Sequence, residues 1–125
     1  MLRCGAADIF RAEMATIYKI CPAKLWREAE AAGVFHGSPV DLADGFIHFS
    51  TATQAPETAA KHFAGQRDLL LAAFDDGAIG EVRYEPSRGG QLFPHLYGPL
   101  DPKLALWVKP LLMRADGGHE LPALA

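Results

Sequence analysis

Two cysteines in 125 residues, Cys4 and Cys21, cannot build a disulfide framework or a four-cysteine zinc site. Long apolar runs are missing too. Nothing approaches the roughly 18 to 20 residues of a membrane-spanning helix, and residues 1–13 lack the apolar segment of a secretory signal. A cytoplasmic location with no membrane partner is the expectation. There is no excess of positive charge, since 12 basic residues face 15 acidic ones for a net charge of −3. An extended nucleic acid is therefore not an expected partner, and any basic patch would be local. No internal repeat or low-complexity segment occurs.

What is present fits one globular domain. The chain is 50% hydrophobic and 22% charged, and a domain of this size buries about two-thirds of its unfolded surface. Residues 1–13 show no clear period and read as an N-terminal extension, with Met14 as an alternative start. Residues 14–113 form the domain, and 114–125 read as an irregular, fraying tail.

The most informative stretch is Asp44-Gly45-Phe46-Ile47-His48-Phe49-Ser50-Thr51. Asp-Gly supplies a turn, and the period of two in the strand that follows sends Ile47 and Phe49 to the core and His48 and Ser50 to the opposite face, roughly 7 Å apart. Before it, Thr16 to Ile20 reads as a strand with Tyr18 and Ile20 on one face and Ile17 and Lys19 on the other. Pro22 opens a helix to Ala32, closed by Gly33, with Leu25, Trp26, Ala29 and Ala32 inward. Val34 to Ala43 reads as a loop beside the site.

After it, a helix N-capped by Thr53 carries Ala55, Ala59 and Phe63 at a spacing of four. Its N-terminus lies near Ser50 and Thr51, where backbone N–H groups suit an anion such as a phosphate. Leu69 to Phe74 is a continuous apolar run, hence a strand buried on both faces. Glu81 to Glu85 alternates, as does Leu92 to Tyr97, placing Arg83 with Glu85 and His95 with Tyr97 on polar faces. Asp101-Pro102 starts a helical turn, and Leu106 to Leu112 is a closing strand broken near Pro110. Ile47, Phe49, Leu69, Leu71, Val82, Trp26 and Trp107 are the expected core. The order of elements is that of an α+β domain with two helices.

Several side chains are candidates for chemistry. His48 beside Ser50 can bond a ribose hydroxyl or a phosphate, or carry a proton near neutral pH. Arg83 can clamp a phosphate while Glu85 orients a hydroxyl. His95 and Tyr97, between prolines, form a stiff site wall. Tyr18, Lys19 and Thr51 complete the ligand-binding candidates, although Lys19 also reads as a solvated lysine.

Taken together, Ile17-Tyr18-Lys19-Ile20, Asp44-Gly45-Phe46-Ile47-His48-Phe49-Ser50, Arg83-Tyr84-Glu85 and Phe93-Pro94-His95-Leu96-Tyr97-Gly98-Pro99-Leu100 resemble the bacterial domain-of-unknown-function family numbered 952. More widely, the order of elements looks like the first half of an ADP-ribosyltransferase-like fold. Ile47-His48-Phe49-Ser50 is similar to the His-containing strand of RNA 2′-phosphotransferases. That resemblance implies a split antiparallel sheet with NAD in a cleft between its halves, and for a reaction of that type His48 and Glu85 are the candidate catalytic residues. Three functions follow: a nucleotide- or NAD-using transferase, a binding module for a small phosphorylated metabolite, and a metal site from His48, His95 and Glu85. The last lacks any tight ligand spacing, so no metal is expected.

Overall fold

A computed structural model describes residues 15–124, except for the side chain of Arg88. The expected extension over residues 1–13 and the alternative start at Met14 lie outside the described residues. The elements are β1 (Thr16–Pro22), α1 (Ala23–Ala32), α2 (Pro39–Asp44), β2 (Ile47–His48), α3 (Ala55–His62), β3 (Leu69–Asp75), β4 (Glu81–Pro86), β5 (Leu92–Tyr97), β6 (Trp107–Met113) and β7 (His119–Glu120). Two antiparallel sheets result, one ordered β1-β3-β6-β7 and the other β2-β5-β4. The α+β expectation holds, with three helices among the described residues rather than two.

The larger sheet is covered on both faces. Ile17 and Cys21 of β1 and Leu70, Ala72 and Phe74 of β3 pack on one side with Trp26 and Ala29 of α1. Tyr18 and Ile20 with Leu69, Leu71 and Ala73 pack on the other, with Ala55 and Ala59 of α3. A strand buried on both faces has no polar position, which is why β3 reads as an unbroken apolar run. Trp26 is fully buried at the first of these cores, while Ala32, expected inward, is exposed at the end of α1. Val82 and Trp107 are only partly buried against the two cores.

The smaller sheet joins the first core through Ile47, Leu96 and Val82. Its joint with the larger sheet is the segment after β2. Ile47 and His48 pair with Leu96 and His95 of β5, and Phe49 donates to the Pro94 carbonyl, but Ser50 bridges to Tyr18 of β1. The chain changes sheets between Phe49 and Ser50. The expected strand through Thr51 therefore ends early, and the alternation that would put Ser50 beside His48 ends with it.

Three other expectations are corrected. The loop over Val34 to Ala43 contains α2, a six-residue helix with Ser38 at its N-cap and Pro39 in its first turn. β6 runs through Pro110, which sits opposite Leu70. β7 reaches only Leu112 and Met113, so the outer side of β6 at Pro110 is an edge where a missing N–H breaks no ladder. Last, the tail is built into the fold. Arg114 N donates to the Gly118 carbonyl at 2.7 Å, and buried His119 places Nε2 2.8 Å from the Gln66 carbonyl oxygen. Leu121 and Leu124 pack on the second core.

Candidate functional site

The polar face of the smaller sheet carries the site. The register sets His48 of β2 directly opposite His95 of β5, and His95 in turn opposite Arg83 of β4. The two imidazole rings stand edge to face with centroids 5.4 Å apart. Glu85 lies diagonally from His95, opposite Phe93, and its Oε1 receives the Tyr97 hydroxyl at 2.7 Å and lies 2.8 Å from His95 Nδ1. Those two bonds, Tyr97 first, hold the Glu85 carboxyl below the usual carboxylate range, and the same Glu85 bond raises the Tyr97 phenol. Arg83 lies over the Tyr97 ring at 4.7 Å and is paired to Glu81. His48, His95, Glu85, Arg83 and Tyr97 thus share one face, as the alternation requires.

α2 adds what sequence reasoning missed. Asp41 is buried, with no side-chain exposure, and collects six polar contacts. Its Oδ2 accepts from Ser38 N at 2.8 Å and Ser38 Oγ at 2.9 Å, the N3-to-N-cap limb of a capping box. Lys19 Nζ reaches Oδ2 at 2.9 Å and Oδ1 at 3.1 Å, and Oδ1 also receives His48 N at 3.1 Å and meets His48 Nδ1 at 2.6 Å. Burial works to raise this carboxyl, but the bonds from His48 and Lys19 and the lysine charge outweigh it and hold the group well below the usual range. Gly37 makes room for Asp41: its φ is +126°, and a Cβ there would stand 2.7 Å from Asp41 Cβ.

On its other side His48 presents Nε2 to Asp44 Oδ2 at 2.9 Å. Phe46 then closes the group. Its ring is stacked on His95 at 4.0 Å between centroids and 23° between planes, with His48 at 4.7 Å and Tyr97 at 5.4 Å. Beside Phe46 is a cavity of about 240 Å³ bounded by Asp41, Leu42, Gly45, Gly98 and Pro99. His95 Nε2 is buried and has no hydrogen-bond partner.

The remaining candidates lie elsewhere or serve the fold. Lys19 is buried rather than solvated, and its third bond goes to the His48 carbonyl at 3.0 Å, so all three ammonium protons tie β1 to α2 and β2. Tyr18 is on the opposite face of β1, buried against Trp107 at 6.0 Å. The Ser50 hydroxyl bonds Thr58 Oγ1 of α3 at 2.9 Å. The expected anion site at the start of α3 is already filled by the chain itself. Ser50 N donates to the Tyr18 carbonyl and Thr51 N to Gln54 Oε1, and Gln54 rather than Thr53 is the N-cap. Among the described residues, no group of three or more His, Cys, Asp or Glu side chains is placed to hold a metal ion. No helix among them is long and apolar enough to cross a membrane.

Fold and site together define a small antiparallel α+β domain with a histidine pair and a carboxylate network on the outer face of its smaller sheet. The chain belongs to the family described as Protein of unknown function (DUF952), whose model matches residues 20–108. It is similar to protein CC0527 from Caulobacter crescentus. The crystal structure of that protein is 49% identical over 86% of this chain and 95% of the other, with a TM-score of 0.82. Its solution NMR structure is 48% identical over 85% and 92%, with a TM-score of 0.77. No curated protein matches the chain.

Proposed function

We propose that the domain binds a nucleotide, NAD first among them, on the face shared by His48, His95, Glu85 and Tyr97, and acts on it as an ADP-ribosyltransferase-like enzyme. The observation that supports this reading is the convergence of two histidines, an ionised carboxylate and aromatic rings on one strand face beside a cavity. In such a reaction the bond between the ribose anomeric carbon and the nicotinamide nitrogen breaks, with the electron pair leaving on nicotinamide. The nucleophilic acceptor then bonds to that carbon. Glu85 is the group to orient a ribose hydroxyl and stabilise the cationic transition state. His48, oriented by Asp41, is the group to take the acceptor's proton once Asp44 releases Nε2.

A second reading is favoured by that last requirement. Because both His48 nitrogens are engaged by carboxylates, the domain in this state is arranged to bind rather than to move a proton. Calorimetry with NAD and ADP-ribose, together with nicotinamide release by the wild type and Glu85→Gln, separates the two. The enzyme reading expects binding and release, with Glu85→Gln losing far more rate than affinity. Binding without release supports the module, and no binding of any nucleotide contradicts both.

A further inference from the structure

The Phe46 ring sits among groups that are otherwise polar. His48, His95 and Tyr97 surround it, and carboxylates reach all three of those rings, Asp44 at His48 and Glu85 bridging His95 and Tyr97. In that stack the buried His95 Nε2 has no hydrogen-bond partner, and a phenyl ring, having no hydrogen-bonding atom, cannot supply one. The cavity that Phe46 walls is, at about 240 Å³, below the roughly 300–1,000 Å³ of small-molecule sites, and because Phe46 both lines it and contacts His48 and His95, withdrawal of the ring would open space toward them. Gly45, at φ +86°, immediately precedes Phe46, which is itself only half buried.

Charge specifies the ligand. Lys19 and Arg83 stand against Asp41, Asp44, Glu81 and Glu85, so the cluster is negative with its histidines neutral and stays negative with one of them protonated. Such a group attracts a cation and repels a phosphate at this point, and aromatic faces add to the attraction.

We infer that Phe46 is a placeholder in a slot for a planar, cationic heteroaromatic ring, and that it leaves the face of His95 when that ring arrives. This rests on the reading above, of which it specifies one subsite: the slot takes the charged nicotinamide end of NAD, and the phosphates lie away from the carboxylates. The placeholder is also a selectivity device, because only a ring that gains from both stacking and charge offsets the displacement of Phe46.

The test titrates the full chain and Phe46→Ala with 1-methylnicotinamide, a cation, and with benzamide, its neutral counterpart. The cation binds more tightly than benzamide, and Phe46→Ala tightens its binding by about tenfold, because the fraction of slot open before binding rises. In the wild type, NMR contacts between the Phe46 and His95 rings disappear at saturation, a result that does not depend on the variant folding. The inference is overturned if those contacts persist at saturation, if Phe46→Ala weakens the cation, if benzamide binds equally well, or if neither compound binds. Failure of the transferase reading looks different: the cation displaces Phe46 while NAD is bound without release.

Discussion

Asp41 Oδ1 and His48 Nδ1 are 2.6 Å apart, and the same carboxylate holds both contacts to Lys19. Three elements distant in sequence, β1, α2 and β2, are thereby fixed on one buried carboxylate. Stability and site geometry depend on the same side chain.

Removing that charge leaves Lys19 buried and unpaired. Asp41→Asn should therefore destabilise the domain by about 3–5 kcal/mol, the usual cost of breaking a buried ion pair from one side. Urea unfolding measures it. A midpoint equal to that of the wild type would mean that the lysine finds water or another acceptor.

The same carboxylate sets the acid limit of stability. Its folded pKa lies below the unfolded value of about 3.9, so its contribution is complete above roughly pH 5 and is lost progressively as pH falls toward the folded pKa. In that window the unfolded chain binds more protons than the folded one, and acid favours unfolding. Stability of the wild type should decline below about pH 4, and Asp41→Asn should show a shallower decline. Equal slopes in the two proteins would contradict the assignment.

Burial pushes the Cys21 thiol up to about 11, with the Lys19 charge opposing the shift and Asp41 adding to it. In a Cys4→Ser background, a disulfide reagent at pH 8 should label Cys21 only as fast as the chain opens. Rapid labelling of the folded protein would show that the thiol is exposed.

Much of the scaffold is legible in the sequence because its strands obey simple periods. β3 is apolar throughout since both of its faces are covered, and β4 and β5 alternate in residue type, polar against apolar, although β5 is buried from Phe93 to Leu96. That alternation suffices to bring Glu85, His95 and Tyr97 together. It fails for Ser50, because a change of sheet after Phe49 leaves no local mark. Lys19 is illegible for a different reason: a lysine is buried only by a partner, and Asp41 lies 22 positions away. α2 was the one element with a readable signal that loop residues obscured. Ser38-Pro39-Val40-Asp41 has an N-cap, a first-turn proline and an acidic N3, but Gly37, Ser38 and Pro39 together also spell a turn.

His48→Ala should separate binding from folding. The ring is about one-third exposed and lies on the polar face, so its loss opens no core cavity, and stability should change by about 1 kcal/mol or less beyond the lost Asp41 bond. Affinity for NAD should fall by roughly 1–3 kcal/mol. Unaltered affinity measured by calorimetry would remove His48 from the site.

We propose that the ligand face is the row His48, His95, Tyr97 and Glu85. It is tested most directly by titrating isotopically labelled protein with NAD and following every assigned signal by NMR. The account predicts that the largest shifts fall on Phe46, His48, His95 and Tyr97, while Ser50, Thr51 and the start of α3 move little. Shifts concentrated at the start of α3, or no shifts at all, would contradict it.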